Sequence, residues 1–98
     1  MQKIVYFDID DTLVRSVGQK RINMPAVIAQ VRRLKADGCV LYLWSSGGSD
    51  YCKTTAIELG IDDCFTEFLP KPTAYVDDQP VDEWRLCKHF YPSQAENV

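Results

Sequence analysis

Apolar and polar residues run along this chain in blocks, and the blocks predict a succession of strands and helices. Lys3 to Phe7 (K-I-V-Y-F) is short, apolar and rich in β-branched and aromatic residues, which predicts a buried strand. From Met24 to Asp37, Val27, Val31 and Leu34 recur at i, i+4 and i+7, making one stripe of a helix, while Arg32, Arg33 and Lys35 point elsewhere. Asn23 is its candidate cap, Pro25 suits the first turn and Gly38 supplies the stop. Cys39 to Trp44 (C-V-L-Y-L-W) is a second apolar strand, ended by Ser45-Ser46-Gly47-Gly48. Ser49 or Asp50 caps a second helix that runs to Leu59, with Cys52, Ala56 and Leu59 as its stripe and Gly60 as terminator. Phe65–Leu69 and Thr73–Val76 are expected as strands. Val81–Tyr91 is expected as a helix, favoured by Asp82 and Glu83 at its start and stopped by Pro92, and the polar tail Ser93–Val98 is expected to fray.

The order β-α-β-α-β-β-α, with apolar rather than alternating strands, predicts an α/β fold: a Rossmann-like, four-stranded parallel sheet with helices on both faces. Right-handed crossovers bring the strand C-termini to one edge, where open α/β sheets bind ligands. Asp8, Ser45 and Asp77 each follow a predicted strand and are therefore expected to converge. Neither a repeat nor a linker interrupts the pattern, so residues 1–98 read as a single domain.

Composition changes this picture little. The 98 residues are 46% hydrophobic and 26% charged, as in ordinary globular proteins, and suffice for one core. A formal net charge of −3 gives no general attraction to a nucleic-acid backbone. No apolar run is long enough to span a membrane, and the stretch Ile4 to Phe7 stops at Asp8, too short for a secretory leader. The four cysteines, Cys39, Cys52, Cys64 and Cys87, include no C-x-x-C. They are expected to be reduced thiols of a cytoplasmic protein, not zinc ligands or disulfides.

The candidate chemistry centres on Asp8-Ile9-Asp10-Asp11-Thr12-Leu13. Three carboxylates in four positions repel one another. Taken alone, a solvated acidic turn with Thr12 in a local hydrogen bond explains them equally well. They are not alone. A second acidic pair, Asp77-Asp78, follows another predicted strand, and Lys71 lies shortly before it. Ser45 or Ser46 offers a hydroxyl, and Gly47-Gly48 offers backbone N–H groups that approach a phosphate closely. Magnesium takes oxygen ligands and needs one or two carboxylates beside a substrate phosphate. Phosphoryl transfer needs this set of parts: nucleophile, charge-neutralising metal, donors for the equatorial oxygens and a proton shuttle.

Together these stretches resemble the haloacid-dehalogenase (HAD) superfamily over nearly the whole chain. Y-F-D-I-D-D-T-L, from Tyr6 to Leu13, is similar to its first motif. The resemblance implies that Asp8 attacks phosphorus and forms an aspartyl-phosphate. Asp10 would protonate the leaving group and then activate water, its backbone carbonyl binding Mg2+. L-Y-L-W-S looks like the second motif, implying Ser45 as the phosphate-binding hydroxyl, with Ser46 as an alternative. Lys71 in K-P looks like the third motif and Y-V-D-D like the fourth. The implied phosphate contacts are Thr12, Ser45, Ser46, Gly47 and Lys71. The implied metal ligands are Asp8, Asp10, Asp77 and Asp78, with Asp78 the main one of the second pair. Asp82 also fits a variant of the fourth motif, but reads better as a charge at a helix start. Lys53 and Arg15 are expected on the surface, His89 in a structural role, and Trp44 and Trp84 in the core.

Neither Arg15 to Asn23 nor the eleven residues Gly60 to Pro70 can hold a folded cap domain. The resemblance therefore implies a capless member with an open site, whose substrate is macromolecular or whose site is covered by a second subunit. K-P-x-x-x-Y-V-D-D followed by a Trp-containing helix is also similar to the phosphatase half of polynucleotide kinases, which implies a nucleotide or polynucleotide 3′-phosphate. The chain ends twenty residues after Asp78, which points to self-association as a homo-oligomer. The expected function is a magnesium-dependent phosphomonoester hydrolase. The alternative is a non-catalytic metal- or phosphate-binding regulatory module. A signalling receiver is disfavoured, because its acidic pair precedes its phosphoacceptor.

Overall fold

Successive apolar blocks form a small α/β domain, and the computed structural model describes residues 2–98 of it. Strand β1 is Ile4–Phe7, β2 is Val14–Val17 and β3 is Lys20–Asn23. Helix α1 (Pro25–Ala36), strand β4 (Val40–Ser45), helix α2 (Ser49–Leu59) and strand β5 (Glu67–Pro70) follow. Short 3-10 turns span Asp62–Cys64, Val81–Glu83 and Pro92–Asn97. Strands β1, β4 and β5 form a parallel sheet in that order, and β2 and β3 form a separate antiparallel hairpin.

Among the described residues the parallel sheet has three strands, not the expected four, and its helices cover one face, not two. Along β4 the residues Leu41, Leu43 and Ser45 are buried while Val40, Tyr42 and Trp44 are only half-buried. Alternate strand residues face opposite sides, so a single face carries the core. Both helices pack on β4, and their stripes, Val27, Val31 and Leu34 from α1 and Cys52 and Ala56 from α2, join Phe7, Leu41 and Leu43 in one cluster. Handedness explains this. The path β1–α1–β4–α2–β5 steps in one direction across the sheet, and right-handed crossovers that keep direction put their helices on the same side. Covering the second face requires the chain to turn back and add a strand beside β1, and none of the described residues does so. That face carries Tyr6 against Tyr42 and Trp44, with ring centroids 5.1 and 5.0 Å apart.

The C-terminal third departs most from expectation. Thr73–Val76 is exposed and forms no strand, and of Val81–Tyr91 only the 3-10 turn at its start is helical. Local contacts hold this segment instead: Tyr75 meets Trp84 edge-on, its hydroxyl accepts the Val81 N–H, and Trp84 Nε1 donates to the Gln79 carbonyl. An amphipathic helix gains most of its stability from packing. Here Trp84 and Leu86 remain 39% and 75% exposed, so nothing rewards helix formation. Trp84 is thus not in the core, and His89 is exposed against the Tyr91 ring. The tail, expected to fray, is ordered: its 3-10 turn lies against α1, with Ala95 buried and the Val98 carbonyl accepting from Gln30 Nε2. Asn23 ends β3, leaving Met24 at the α1 N-cap without a side-chain bond.

Candidate active site

Strand register alone brings three of the singled-out residues to one place. Phe7 pairs with Leu43 and Pro70 with Ser45, so Asp8 and Lys71, each one residue further on, flank the C-terminal end of β4. The Lys71 N–H donates to the Ser45 carbonyl at 2.9 Å and seats the lysine there.

Beyond β1 the chain coils tightly because Ile9 and Leu13, both with no exposed surface, anchor it to the core. The N–H groups of Thr12, Leu13 and Val14 all converge on the Ile9 carbonyl, at 3.0, 2.9 and 3.2 Å. Asp11 takes the left-handed conformation (φ 64°), which Asp tolerates better than most residues. With the apolar residues turned in, Asp8 is half-buried and Asp10 exposed.

Both oxygens of Asp8 are held. Lys71 Nζ lies 3.0 Å from Oδ1, and Thr12 Oγ1 donates to Oδ2 at 3.1 Å. Lys71 also stands 5.9 Å over the ring of Trp44, which so lies beside the site and not in the core. Ser45 is 2% exposed, and its Oγ accepts the Gly47 N–H at 3.0 Å, leaving the hydroxyl hydrogen free to donate. The Gly48 N–H is taken by the Ser45 carbonyl. Both glycine N–H groups are therefore engaged inside the turn, and Ser46 is exposed at its surface.

Asp77 and Asp78 are not brought to this edge, because the strand that was to carry them does not form. Both are exposed, and Asp77 Oδ1 accepts the Gln79 N–H at 3.0 Å, a bond that holds its carboxyl below the ordinary carboxylate range. Among the described residues, no three His, Cys, Asp or Glu side chains gather to hold a metal ion. Lys53 and Arg15 are exposed, as expected.

Two contributors escaped the sequence reading. Tyr51, on the first turn of α2, donates to Asp10 Oδ1 at 2.8 Å. Arg21, on β3, donates to the Tyr51 hydroxyl at 3.0 Å and pairs with Glu58 at 3.3 Å. The signal for the hairpin was present in Val17-Gly18-Gln19-Lys20: a two-residue loop with glycine first, at φ 62°. Its strands are four residues long and almost wholly exposed, so no apolar alternation marks them. Burial pushes the Tyr51 phenol up, and its bond to Asp10 adds to the shift.

A family described as protein of unknown function (DUF705) matches residues 1–75. The chain belongs to this family. That finding corrects the haloacid-dehalogenase assignment drawn from the four short motifs, since the match that spans most of the chain is to DUF705. The curated relatives agree. An uncharacterized 41.0 kDa protein of Cryptophlebia leucotreta granulosis virus is 36% identical over 66 residues, covering 67% of this chain and 19% of the relative. An uncharacterized 38.0 kDa protein of Autographa californica nuclear polyhedrosis virus is 42% identical over 48 residues, covering 49% of this chain and 15% of the relative. An uncharacterized 36.0 kDa protein of Orgyia pseudotsugata multicapsid polyhedrosis virus is 38% identical over 48 residues, with the same shares. The matched stretch thus spans less than a fifth of these relatives. No solved structure matches the chain. No helix among the described residues is long and apolar enough to cross a membrane.

Proposed function

We propose that this domain is a magnesium-dependent phosphohydrolase with Asp8 as nucleophile, acting on phosphomonoesters. The observation that carries the reading is the grip on Asp8. A carboxylate at the C-terminal edge of a parallel sheet, with Lys71 on one oxygen and Thr12 on the other, is oriented and close to a cation suited to a phosphoryl group. In the proposed reaction an Asp8 oxygen attacks phosphorus and the ester P–O bond breaks. The bond pair leaves with the ester oxygen, which takes a proton from Asp10. Water then attacks the aspartyl-phosphate, gives its proton to Asp10, and the P–O bond to Asp8 breaks to release phosphate. Lys71, Thr12 and Ser45, with Ser46 at the rim, are the proposed phosphate contacts, whereas the Gly47 N–H is engaged by Ser45 Oγ.

The donor chemistry at this edge fits magnesium, which needs only one or two carboxylates beside a substrate phosphate. The Asp8 carboxylate and the Asp10 backbone carbonyl would hold it. When bound, the ion supplies neutralisation of charge on the phosphoryl group. The site lies open at the surface, a shape that suits a macromolecular phosphoester such as a polynucleotide 3′-phosphate, or closure by a second copy. A cytoplasmic location belongs to the same proposal.

The test is release of phosphate from 4-nitrophenyl phosphate with magnesium, comparing the parent with Asp8→Asn. Turnover that vanishes in the variant supports the reading. Turnover that persists refutes Asp8 as nucleophile. If the parent neither turns over nor binds beryllofluoride with magnesium, the enzyme gives way to a non-catalytic binding module.

A further inference from the structure

Asp10 is exposed, and an exposed carboxylate samples several rotamers unless something holds it. What holds it is a relay across three elements. Arg21 Nη2 donates to the Tyr51 hydroxyl at 3.0 Å, and the same nitrogen reaches Thr55 Oγ1 at 3.3 Å. Arg21 Nη1 is fixed by Glu58 at 3.3 Å, and its guanidinium carbon stands 5.5 Å from the Tyr51 ring centroid. Arginine only donates, so the Tyr51 oxygen must accept from it. The single phenolic hydrogen is thereby directed at Asp10 Oδ1, 2.8 Å away. Oδ1 is then occupied as an acceptor, and Oδ2 is the oxygen left to carry and deliver a proton. Position 47 is matched to this arrangement: a Cβ there would lie 2.7 Å from Tyr51 Cδ2, so only glycine leaves the ring its place.

We propose that Tyr51 is a positioning residue for Asp10, and that the β2–β3 hairpin, through Arg21, holds Tyr51 in that role. The inference rests on the reading of Asp10 as the proton donor to the leaving group. It makes the hairpin a functional part of the site.

Leaving-group dependence separates positioning from mere support. Phenyl phosphate leaves as a poorer phenoxide than 4-nitrophenyl phosphate and needs its proton more. With magnesium and the full chain, Tyr51→Phe should lower kcat/KM by about tenfold or more on phenyl phosphate, yet by less than about threefold on 4-nitrophenyl phosphate. Arg21→Met should show the same selectivity with a smaller loss. Urea midpoints taken alongside establish that the variants fold. Equal losses on the two esters, or none on either, overturn the inference while leaving the phosphatase reading intact. A parent that hydrolyses neither ester and does not bind beryllofluoride with magnesium sinks that reading, and the role of Tyr51 with it.

Discussion

Replacing Gly47 with alanine isolates one contact on which the site geometry depends. The new Cβ would stand 2.7 Å from Tyr51 Cδ2, 3.1 Å from its Cγ and 3.4 Å from Ser45 Oγ. Relaxed carbon contacts lie at about 3.5–4.0 Å, so the ring must retreat by about 1 Å. Gly47 is not among the glycines in the left-handed region, unlike Gly48 at φ 99°, so the cost is steric and not conformational. Overpacking costs about 1–3 kcal/mol, and a half-buried ring with solvent on one side places this case near 1 kcal/mol. With a urea slope of about 1 kcal/mol per molar, the unfolding midpoint should fall by about 1 M. A retreat of that size also takes the 2.8 Å bond from Tyr51 to Asp10 out of range. The decisive assay is a double-mutant cycle. In a Tyr51→Ala background the obstruction is gone, and Gly47→Ala should cost almost nothing, giving a coupling of about 1 kcal/mol. An equal midpoint shift in both backgrounds would refute the argument.

Three further outcomes follow from the same geometry. Lys71→Met should change stability by less than about 1 kcal/mol, because the side chains of the pair are 35% and 30% exposed, while kcat/KM on 4-nitrophenyl phosphate falls by about 100-fold or more; a large stability loss with activity kept would reverse the roles assigned here. Leu43→Ala, on the covered face of β4, should cost about 2–5 kcal/mol, and Tyr42→Ala, on the uncovered face of the same strand, clearly less in matched urea titrations. Comparable losses would mean that both faces are packed. Burial pushes the Cys52 and Cys64 thiols up, so the folded state keeps protons that the unfolded chain gives up near pH ~8.5. Stability should decline as pH rises beyond that point, and iodoacetamide followed by mass spectrometry should find exposed Cys87 modified well before Cys52 or Cys64.

Sequence order by itself determined the elements whose information is local and periodic. Val27, Val31 and Leu34 marked α1, Cys52 and Ala56 marked α2, and the runs before Asp8 and Ser45 marked β1 and β4; each is found within a few residues of its expected bounds. These elements bury their apolar stripes in the order in which they are made. That order also sufficed to bring Asp8 and Ser45 to one edge, since parallel strands joined by right-handed crossovers end together, but Asp77, expected beside them, is replaced there by Lys71 at the end of β5. Tertiary structure decided the rest. Thr73–Val76 and Val81–Tyr91 have suitable composition, but an edge strand and an amphipathic helix exist only where a partner surface rewards them, and none receives them here. The hairpin shows the converse: exposed, short and without alternation, it is stabilised by a glycine turn and by Arg21 reaching α2. Tyr51 and Asp10 are 41 positions apart in the chain, and only the packing of α2 beside the first loop makes them neighbours.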